Sequence, residues 1–263
     1  MSFLKKQARS IIENIIQLHS QFIVNIYKIK NYNSKRILIY TDSRGYEISS
    51  IFSRKSYRKS FIQDLIMNYK CDVFICPEKH TTFYDFFETQ ENYKMNKYDF
   101  VICLIGVVDF SPRPISQIEP ILKLKKGKIL NNFMVSNDSM KLTTLHGSYY
   151  NGEPTSSLVG LKSVSSIVNK LNAIDNLIWI SCNPVDLNWR GNYFRDRPEN
   201  INYVNEVSKS IISYNKHKNF HVLDFTNWNL EEVRKYTCDN IHYSKEGMEL
   251  IKNSIIKYIN EKV

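Results

Sequence analysis

Five short apolar runs, separated by longer segments of helical pattern, constrain this fold more than any other feature of the sequence. They occupy residues 36–40 (Arg-Ile-Leu-Ile-Tyr), 72–76 (Asp-Val-Phe-Ile-Cys), 100–105 (Phe-Val-Ile-Cys-Leu-Ile), 177–180 (Leu-Ile-Trp-Ile) and 220–224 (Phe-His-Val-Leu-Asp). Their apolar character is nearly continuous, which marks strands covered on both faces. Such strands alternating with helices predict an α/β fold with a parallel sheet between helical layers. One helical stretch is expected at about 48–69 and a long N-terminal helix at about 3–30.

On that first helix Ile12, Ile16, Ile23 and Ile26 form one stripe, with Ile11, Ile15, Leu18 and Phe22 beside it. The apolar face is wide and its flanks are basic. Packing on its own domain, pairing with a second copy as a homodimer, and association with a membrane surface all fit such a helix. Residues 1–33 therefore read as a helical extension and 34–263 as one globular domain. Within it, residues 111–154 form an irregular insertion carrying Pro112, Pro114, Pro120 and a basic cluster at Lys123, Lys125, Lys126 and Lys128. A segment this long outside the regular alternation is expected to border the site and contact substrate.

At 263 residues the chain buries enough core to fold without disulfides or metal. Its net charge of +10 favours acidic partners, but the cations are scattered and no nucleic-acid-binding motif is present, so no nucleic acid partner is expected. The five cysteines (Cys71, Cys76, Cys103, Cys182, Cys238) show no C-x-x-C spacing and point to a reducing compartment. The N-terminus, interrupted by Glu13, Asn14 and Gln17, reads as neither signal peptide nor membrane span. The expected location is cytoplasmic.

In an open parallel sheet, ligands bind beyond the carboxyl ends of the strands. Thr41-Asp42-Ser43-Arg44-Gly45 follows the first run, and Gly106-Val107-Val108-Asp109 follows the third. Beyond the fifth lies Cys238-Asp239-Asn240-Ile241-His242. A serine, an aspartate and a histidine thus reach one rim from opposite ends of the chain. Acyl transfer through serine needs a base, a group that orients the base, and N–H donors for the oxyanion. Ser43, His242 and Asp239 fit these roles in that order, with the Ser43 backbone N–H as one donor. His80 and His146 are weaker candidates, and His19 and His221 are expected to pack. The histidines and cysteines have no metal-ligand spacing, and no Gly-rich phosphate loop follows the first strand, so neither metal nor cofactor is expected.

Residues 39–45 resemble the first sequence block of the SGNH/GDSL hydrolases, usually Gly-Asp-Ser. Asp239-Asn240-Ile241-His242 with the following Gly247 resembles their last block, and Asn202-Tyr203-Val204-Asn205 a helix start found upstream of it. The resemblance spans about residues 35–258. It implies a three-layer flavodoxin-like fold with strand order 2-1-3-4-5, and hydrolysis or transfer of an ester acyl group.

The chain departs from that pattern in three places. Thr41 stands where the family has Gly. Lys79-His80-Thr81-Thr82 replaces a block whose Gly N–H enters the oxyanion hole, leaving a backbone N–H near Lys79. Val108 replaces the Asn of Gly-x-Asn-Asp, whose side chain completes the hole beside Gly106. Arg44 and Arg113 are candidate replacement donors, with a salt bridge from Arg113 to Asp109 as the alternative. The run from Gly106 to Arg113 resembles a Gly-Ile-Val-Asp-x-x-Pro-Arg variant among bacterial SGNH-like proteins, some encoded near surface-polysaccharide genes. Three functions follow: an esterase acting on an acetyl-like ester of a carbohydrate, an acyltransferase with the same machinery, or a binding protein that kept the fold and lost the chemistry.

Overall fold

A computed structural model describes residues 3–49, 53–133, 144–193 and 196–262. Its main sheet is built from β1 (Arg36–Thr41), β2 (Lys70–Ile75), β3 (Phe100–Leu104), β7 (Leu177–Ile180) and β8 (Phe220–Leu223), in the order β2-β1-β3-β7-β8. All four pairings are parallel. In sequence order of the sheet strands this is 2-1-3-4-5.

Successive strand residues point to opposite faces, so each strand feeds two cores. Leu38, Tyr40, Val101, Cys103, Leu177 and Trp179 face one side, under α3 (Phe83–Tyr93), α5 (Ile115–Phe133), α6 (Val164–Asn172) and α7 (Tyr203–Tyr214). Ile37, Ile39, Ile102, Leu104, Ile178 and Ile180 face the other, under α1 (Phe3–Lys30), α2 (Ile62–Asn68) and α9 (Lys245–Glu261). Both sets are fully buried, which explains why the runs of β1, β3 and β7 carry no polar alternation.

Helix α1 resolves its wide apolar face into two. Ser20 and Val24 are buried, Ile12, Ile16 and Ile23 are half-buried, and Lys28 pairs with Asp72 on the edge strand β2. Ile11, Ile15, Leu18, Phe22, Ile26 and Ile29 form a second stripe facing solvent, so Ile26 belongs with the exposed set. No helix among the described residues is long and apolar enough to cross a membrane.

Two expected elements take other forms. The helix expected at 48–69 is only α2, and the chain before it turns repeatedly. Serine side chains there compete for backbone groups: Ser60 Oγ donates to Gly45 O (2.6 Å) and accepts from Ile62 N (3.2 Å), and Ser56 Oγ accepts from Arg58 N (3.2 Å). Residues 50–52 of that stretch lie outside the described residues. The region expected to be irregular at 111–154 contains α5 and a small antiparallel sheet of β4 (Arg113–Pro114), β6 (Glu153–Ser157) and β5 (Thr144–Tyr150); its residues 134–143 lie outside the described ones. Pro120 sits near the start of α5, where it removes one helical hydrogen bond without ending the helix.

The basic cluster on α5 divides by helical face. Lys123 and Lys126 are exposed, whereas Lys125 is buried and donates to Asp85 Oδ1 at 2.8 Å. Lys128 Nζ reaches the same oxygen at 2.8 Å, and Asp85 Oδ2 caps α3 by accepting from Thr82 N (2.9 Å) and Thr82 Oγ1 (2.8 Å). One carboxylate therefore holds two ammonium groups and a helix start. Asp85→Ala is expected to lower stability by about 3–5 kcal/mol, because it leaves buried charge uncompensated. Chemical denaturation checks this, and a loss below about 1 kcal/mol, the worth of a surface pair, would show that α3 and α5 are joined by apolar packing alone.

Candidate active site

The site stands on the turn that ends β1. Asp42 N donates to Leu104 O (2.8 Å), which aligns the turn with the end of β3. Asp42 Oδ1 accepts from Arg44 N (2.9 Å), closing a single 3₁₀ turn over Ser43–Gly45. The turn leaves the half-buried Ser43 hydroxyl pointing off the carboxyl edge of the sheet, and its backbone N–H has no partner among the described residues.

Gly45 and Thr41 share space in this turn. A Cβ at Gly45 would lie 2.0 Å from Thr41 Oγ1 and 2.5 Å from Thr41 Cβ. Thr41, which stands where Gly is usual, is accommodated because residue 45 has no side chain.

Asp239 and His242 share a second turn, between α8 (Leu230–Tyr236) and α9. Asn240 at its apex has φ 72°, a left-handed conformation that Asn tolerates well. Its amide is pinned by the loop after β7: Asp186 N donates to Asn240 Oδ1 (2.7 Å), Asn240 Nδ2 to Asp186 O (3.2 Å), and Asn183 Nδ2 to Asn240 O (2.9 Å). Across the turn, Cys238 N donates to His242 O at 2.8 Å.

Ser43, His242 and Asp239 meet at this edge. His242 Nε2 lies 2.9 Å from Ser43 Oγ, and His242 Nδ1 lies 2.8 Å from Asp239 Oδ2. Asp239 Oδ1 accepts from the N–H groups of Ile241 (3.0 Å) and His242 (2.7 Å). Burial raises the Asp239 pKa, but the hydrogen bonds and charge interaction with His242 outweigh it and hold the carboxyl below its ordinary value.

These residues open into a cleft of about 230 Å³, also lined by Val107, Val108, Arg113, Tyr150, Tyr193 and Arg197. A larger cavity of about 710 Å³ lies between Phe61, Tyr243, Met248 and Lys252, but none of Ser43, Asp239 and His242 lines it. The smaller space is the one adjoining the reactive groups.

The other expected site residues separate. Gly106 starts the short helix α4 (Val107–Phe110) with φ 128°, and a Cβ there would lie 2.7 Å from the Phe110 ring, so only glycine fits. Val108 borders the cleft with an apolar side chain. Arg113 lines it too, with a buried Nε that has no partner among the described residues, and it forms no ion pair with Asp109. Burial draws the Arg113 pKa down, only partly offset by the field of Asp109. Asp109 is itself fully buried, accepts from Phe83 N at 3.0 Å, and is pushed well above the carboxylate range by burial.

Arg44 is corrected. Its side chain is completely buried and forked onto Asp42, with Nε 3.1 Å from Oδ1 and Nη2 3.0 Å from Oδ2. Nη1 turns to Ser181 O at 3.4 Å, so the guanidinium braces the turn from below and lines no part of the cleft. Lys79 is exposed and also outside the cleft lining. Its neighbour His80 adopts φ 55°, the left-handed geometry glycine would take most easily. His146 lies 2.8 Å from Ser157 Oγ in the small sheet, His221 stacks on Tyr258 at 3.9 Å, and His19, expected to pack, faces solvent because it lies on the outer side of α1.

Sequence reasoning missed Tyr150, Tyr193 and Arg197. They come from a hairpin and an irregular loop after β7, joined where Tyr150 Oη donates to Asp196 O at 2.6 Å. Only the cluster of Trp, Arg, Gly and Tyr at 189–193 marks that loop in the sequence.

Two outcomes follow. Gly45→Ala is expected to lose about 1–3 kcal/mol by overpacking, and Thr41→Gly in the same chain to recover part of it, as a double-mutant cycle would measure. Asp239 contributes stability above its ordinary pKa of 3.8, because its folded pKa lies lower; that contribution is lost as pH falls through the folded value. The stability difference between the protein and Asp239→Asn is therefore expected to shrink below pH 3.8. A difference that stays constant to lower pH would show that the carboxylate is not held by its partners.

No protein-family model and no curated protein sequence matches the chain. Among solved structures it is similar to the lipase/acylhydrolase from Enterococcus faecalis, at 13% identity over 87% of this chain and 96% of that one, with a TM-score of 0.50. It is also similar to the acetyl xylan esterase AlAXEase (13% identity, 85% and 99% covered, TM-score 0.45). A third is the psychrotrophic esterase EstA from Pseudoalteromonas sp. (14% identity, 86% and 97% covered, TM-score 0.41). The chain has the three-layer α/β fold of the Enterococcus lipase/acylhydrolase, with the same order of parallel strands that the SGNH resemblance implies.

Proposed function

We propose that the chain is a serine ester hydrolase of SGNH type, with Ser43 as nucleophile, His242 as general base and Asp239 as the group that orients it. The observation that carries this reading is the unbroken line from Ser43 Oγ to His242 Nε2 (2.9 Å) and from His242 Nδ1 to Asp239 Oδ2 (2.8 Å) at the floor of an open cleft. In this mechanism His242 Nε2 takes the Ser43 proton as Oγ attacks the ester carbonyl carbon. The same proton passes to the departing alkoxide when the tetrahedral intermediate collapses. Water then attacks the acyl-enzyme by the same route, releasing the acid and restoring Ser43.

The developing oxyanion needs donors that are already in place. The Ser43 N–H is one. Arg113 is the second, because Val108 cannot donate and the Arg113 guanidinium lines the same cleft, with a buried Nε that has no partner among the described residues. A charged donor in a dry site stabilises an oxyanion more strongly than a neutral amide.

The substrate is a small ester. A cleft of about 230 Å³ suits a short acyl group such as acetyl, and the Tyr150 and Tyr193 rings on its rim suit the apolar face of a sugar. The five free cysteines fit a reducing, cytoplasmic setting.

Labelling with a fluorophosphonate, read by intact mass, tests the assignment. One adduct is expected on the wild-type chain and none on Ser43→Ala; equal labelling of both, or of neither, sinks the reading and favours a protein that only binds. Arg113→Ala is expected to lower kcat by roughly 10²–10³ with little change in KM, the pattern of an interaction made in the transition state. Normal turnover in the folded variant would remove Arg113 from the mechanism.

A further inference from the structure

Arg197 brings the cleft a charge that its surroundings compensate only through one long contact, to a carboxylate already in use. It lies in the loop between β7 and α7, and its side chain is 13% exposed. Nη2 donates to the backbone oxygen of Asp239 at 2.5 Å, while Nε is buried with no partner among the described residues. The Tyr193 ring, 4.2 Å from Cζ, stacks against the guanidinium and fixes its plane.

Each acid near Arg197 is already committed. Asp239 Oδ2 is 3.9 Å away and holds His242 Nδ1, while Asp239 Oδ1 holds two backbone N–H groups. Asp196 is 73% exposed and pairs with Arg190. The other guanidinium lining the cleft, Arg113, has no ion pair among the described residues. Two largely buried guanidinium groups thus share a small space with two carboxylates, one that His242 already uses and one that Arg190 pairs with. Burial pulls the pKa of each below the ordinary value, against the opposing fields of Asp109 and Asp239. A largely buried cation whose one ion-pair contact is long and shared is unfavourable unless a further anion meets it, and the planar fork of arginine matches a carboxylate.

We infer that the substrate is an ester bearing a carboxylate of its own, bound by Arg197 with Tyr193 holding the fork in place. The word ester rests on the function proposed above; the anion site rests on the surroundings of Arg197 alone. The carboxylate sits either on the alcohol part, as in a sugar acid, or on the acyl part, as in a dicarboxylic half-ester. Either placement puts the ester bond within reach of Ser43, because the same cleft is lined by both residues.

Calorimetric titration of the full chain carrying Ser43→Ala separates these cases, since binding needs no turnover. Three probes are compared: phenyl acetate, 3-acetoxybenzoate with the carboxylate on the alcohol part, and phenyl hydrogen succinate with it on the acyl part. One anionic ester is expected to bind at least roughly tenfold tighter than phenyl acetate, the size of one charge-assisted pair. Which of the two binds tighter identifies the side that carries the anion. The preference is expected to fall between about 0.05 and about 0.5 M salt, as screening demands. It should disappear in Ser43→Ala/Arg197→Gln and survive only in part in Ser43→Ala/Arg197→Lys, which keeps the charge and loses the fork. Equal affinity for the three probes, or a preference that survives Arg197→Gln, overturns the inference. Should Arg197→Gln not fold, a full preference retained in Arg197→Lys overturns the role of the fork. A failure of the Ser43 labelling above would instead remove the esterase reading and leave the anion titration standing on its own.

Discussion

The buried pair between Asp42 and Arg44 fixes the geometry on which the site depends. Asp42 closes the turn that presents Ser43, and the turn keeps its shape because the Arg44 fork neutralises the Asp42 carboxylate from below. Neither side chain meets water, with exposures of 2% and 0%, so the pair is not a source of net stability. Its value is specificity. Removing one partner strands a charge under Ser43, at a cost of about 3–5 kcal/mol, so alternative turn conformations are strongly disfavoured. Arg44 also reaches Ser181 O at the end of β7, which links the Ser43 turn to the strand two places away in the sheet.

From β7 the same polar connection runs on to the histidine. Ser181 Oγ accepts from Phe225 N (2.8 Å), tying the end of β8, and Asn183 holds the apex of the Asp239–His242 turn through Asn240 O (2.9 Å). Asp186 binds the other side of Asn240 and is itself held by Arg234 Nε at 2.7 Å. Asn202 adds a two-point bond to the backbone of Val185, accepting from its N–H (2.7 Å) and donating to its oxygen (3.0 Å). Two turns that lie 199 residues apart in sequence are therefore positioned by one layer of side-chain to backbone hydrogen bonds along the carboxyl edge. Buried networks of this kind are stable only when every member is satisfied, and satisfied ones rigidify the groups they carry.

The parallel sheet was legible because both its faces are buried, which leaves continuous apolar runs that no half-exposed strand would show. Ser43, Asp239 and His242 were legible as a group because strand ends converge in such a sheet, so residues remote in sequence gather without any local signal. What stayed hidden was tertiary. The distinction between Arg44, sealed beneath the turn, and Arg113, open to the cleft, depends on side-chain direction, and both are simply arginines near strand ends in the sequence. The serines at 56 and 60 look compatible with a helix until their hydroxyls find backbone partners. Lys125 and Lys128 read as a surface patch because their partner, Asp85, lies 40 and 43 residues earlier. Arg197 and Tyr193 come from a loop without periodicity, and no pattern placed them opposite Ser43.

The proposed use of a guanidinium in place of an amide donor changes what the neighbouring carboxyl has to do. With Val108 in the usual place of Asn, the proposed oxyanion donor comes from Arg113, one short strand beyond α4. An ionised Asp109 close by would draw the guanidinium to itself and blunt its field. Instead Asp109 is fully buried and bonded to the Phe83 N–H through one oxygen, the other having no partner among the described residues, and burial raises its pKa well above the ordinary value. Asp109 supports α3 through Phe83 N and forms no ion pair with the guanidinium among the described residues. Val108, the Phe83-bound Asp109 and an Arg113 without an ion pair among the described residues then form one arrangement in the proposed mechanism, since a guanidinium serves an oxyanion best where no protein carboxylate already holds it.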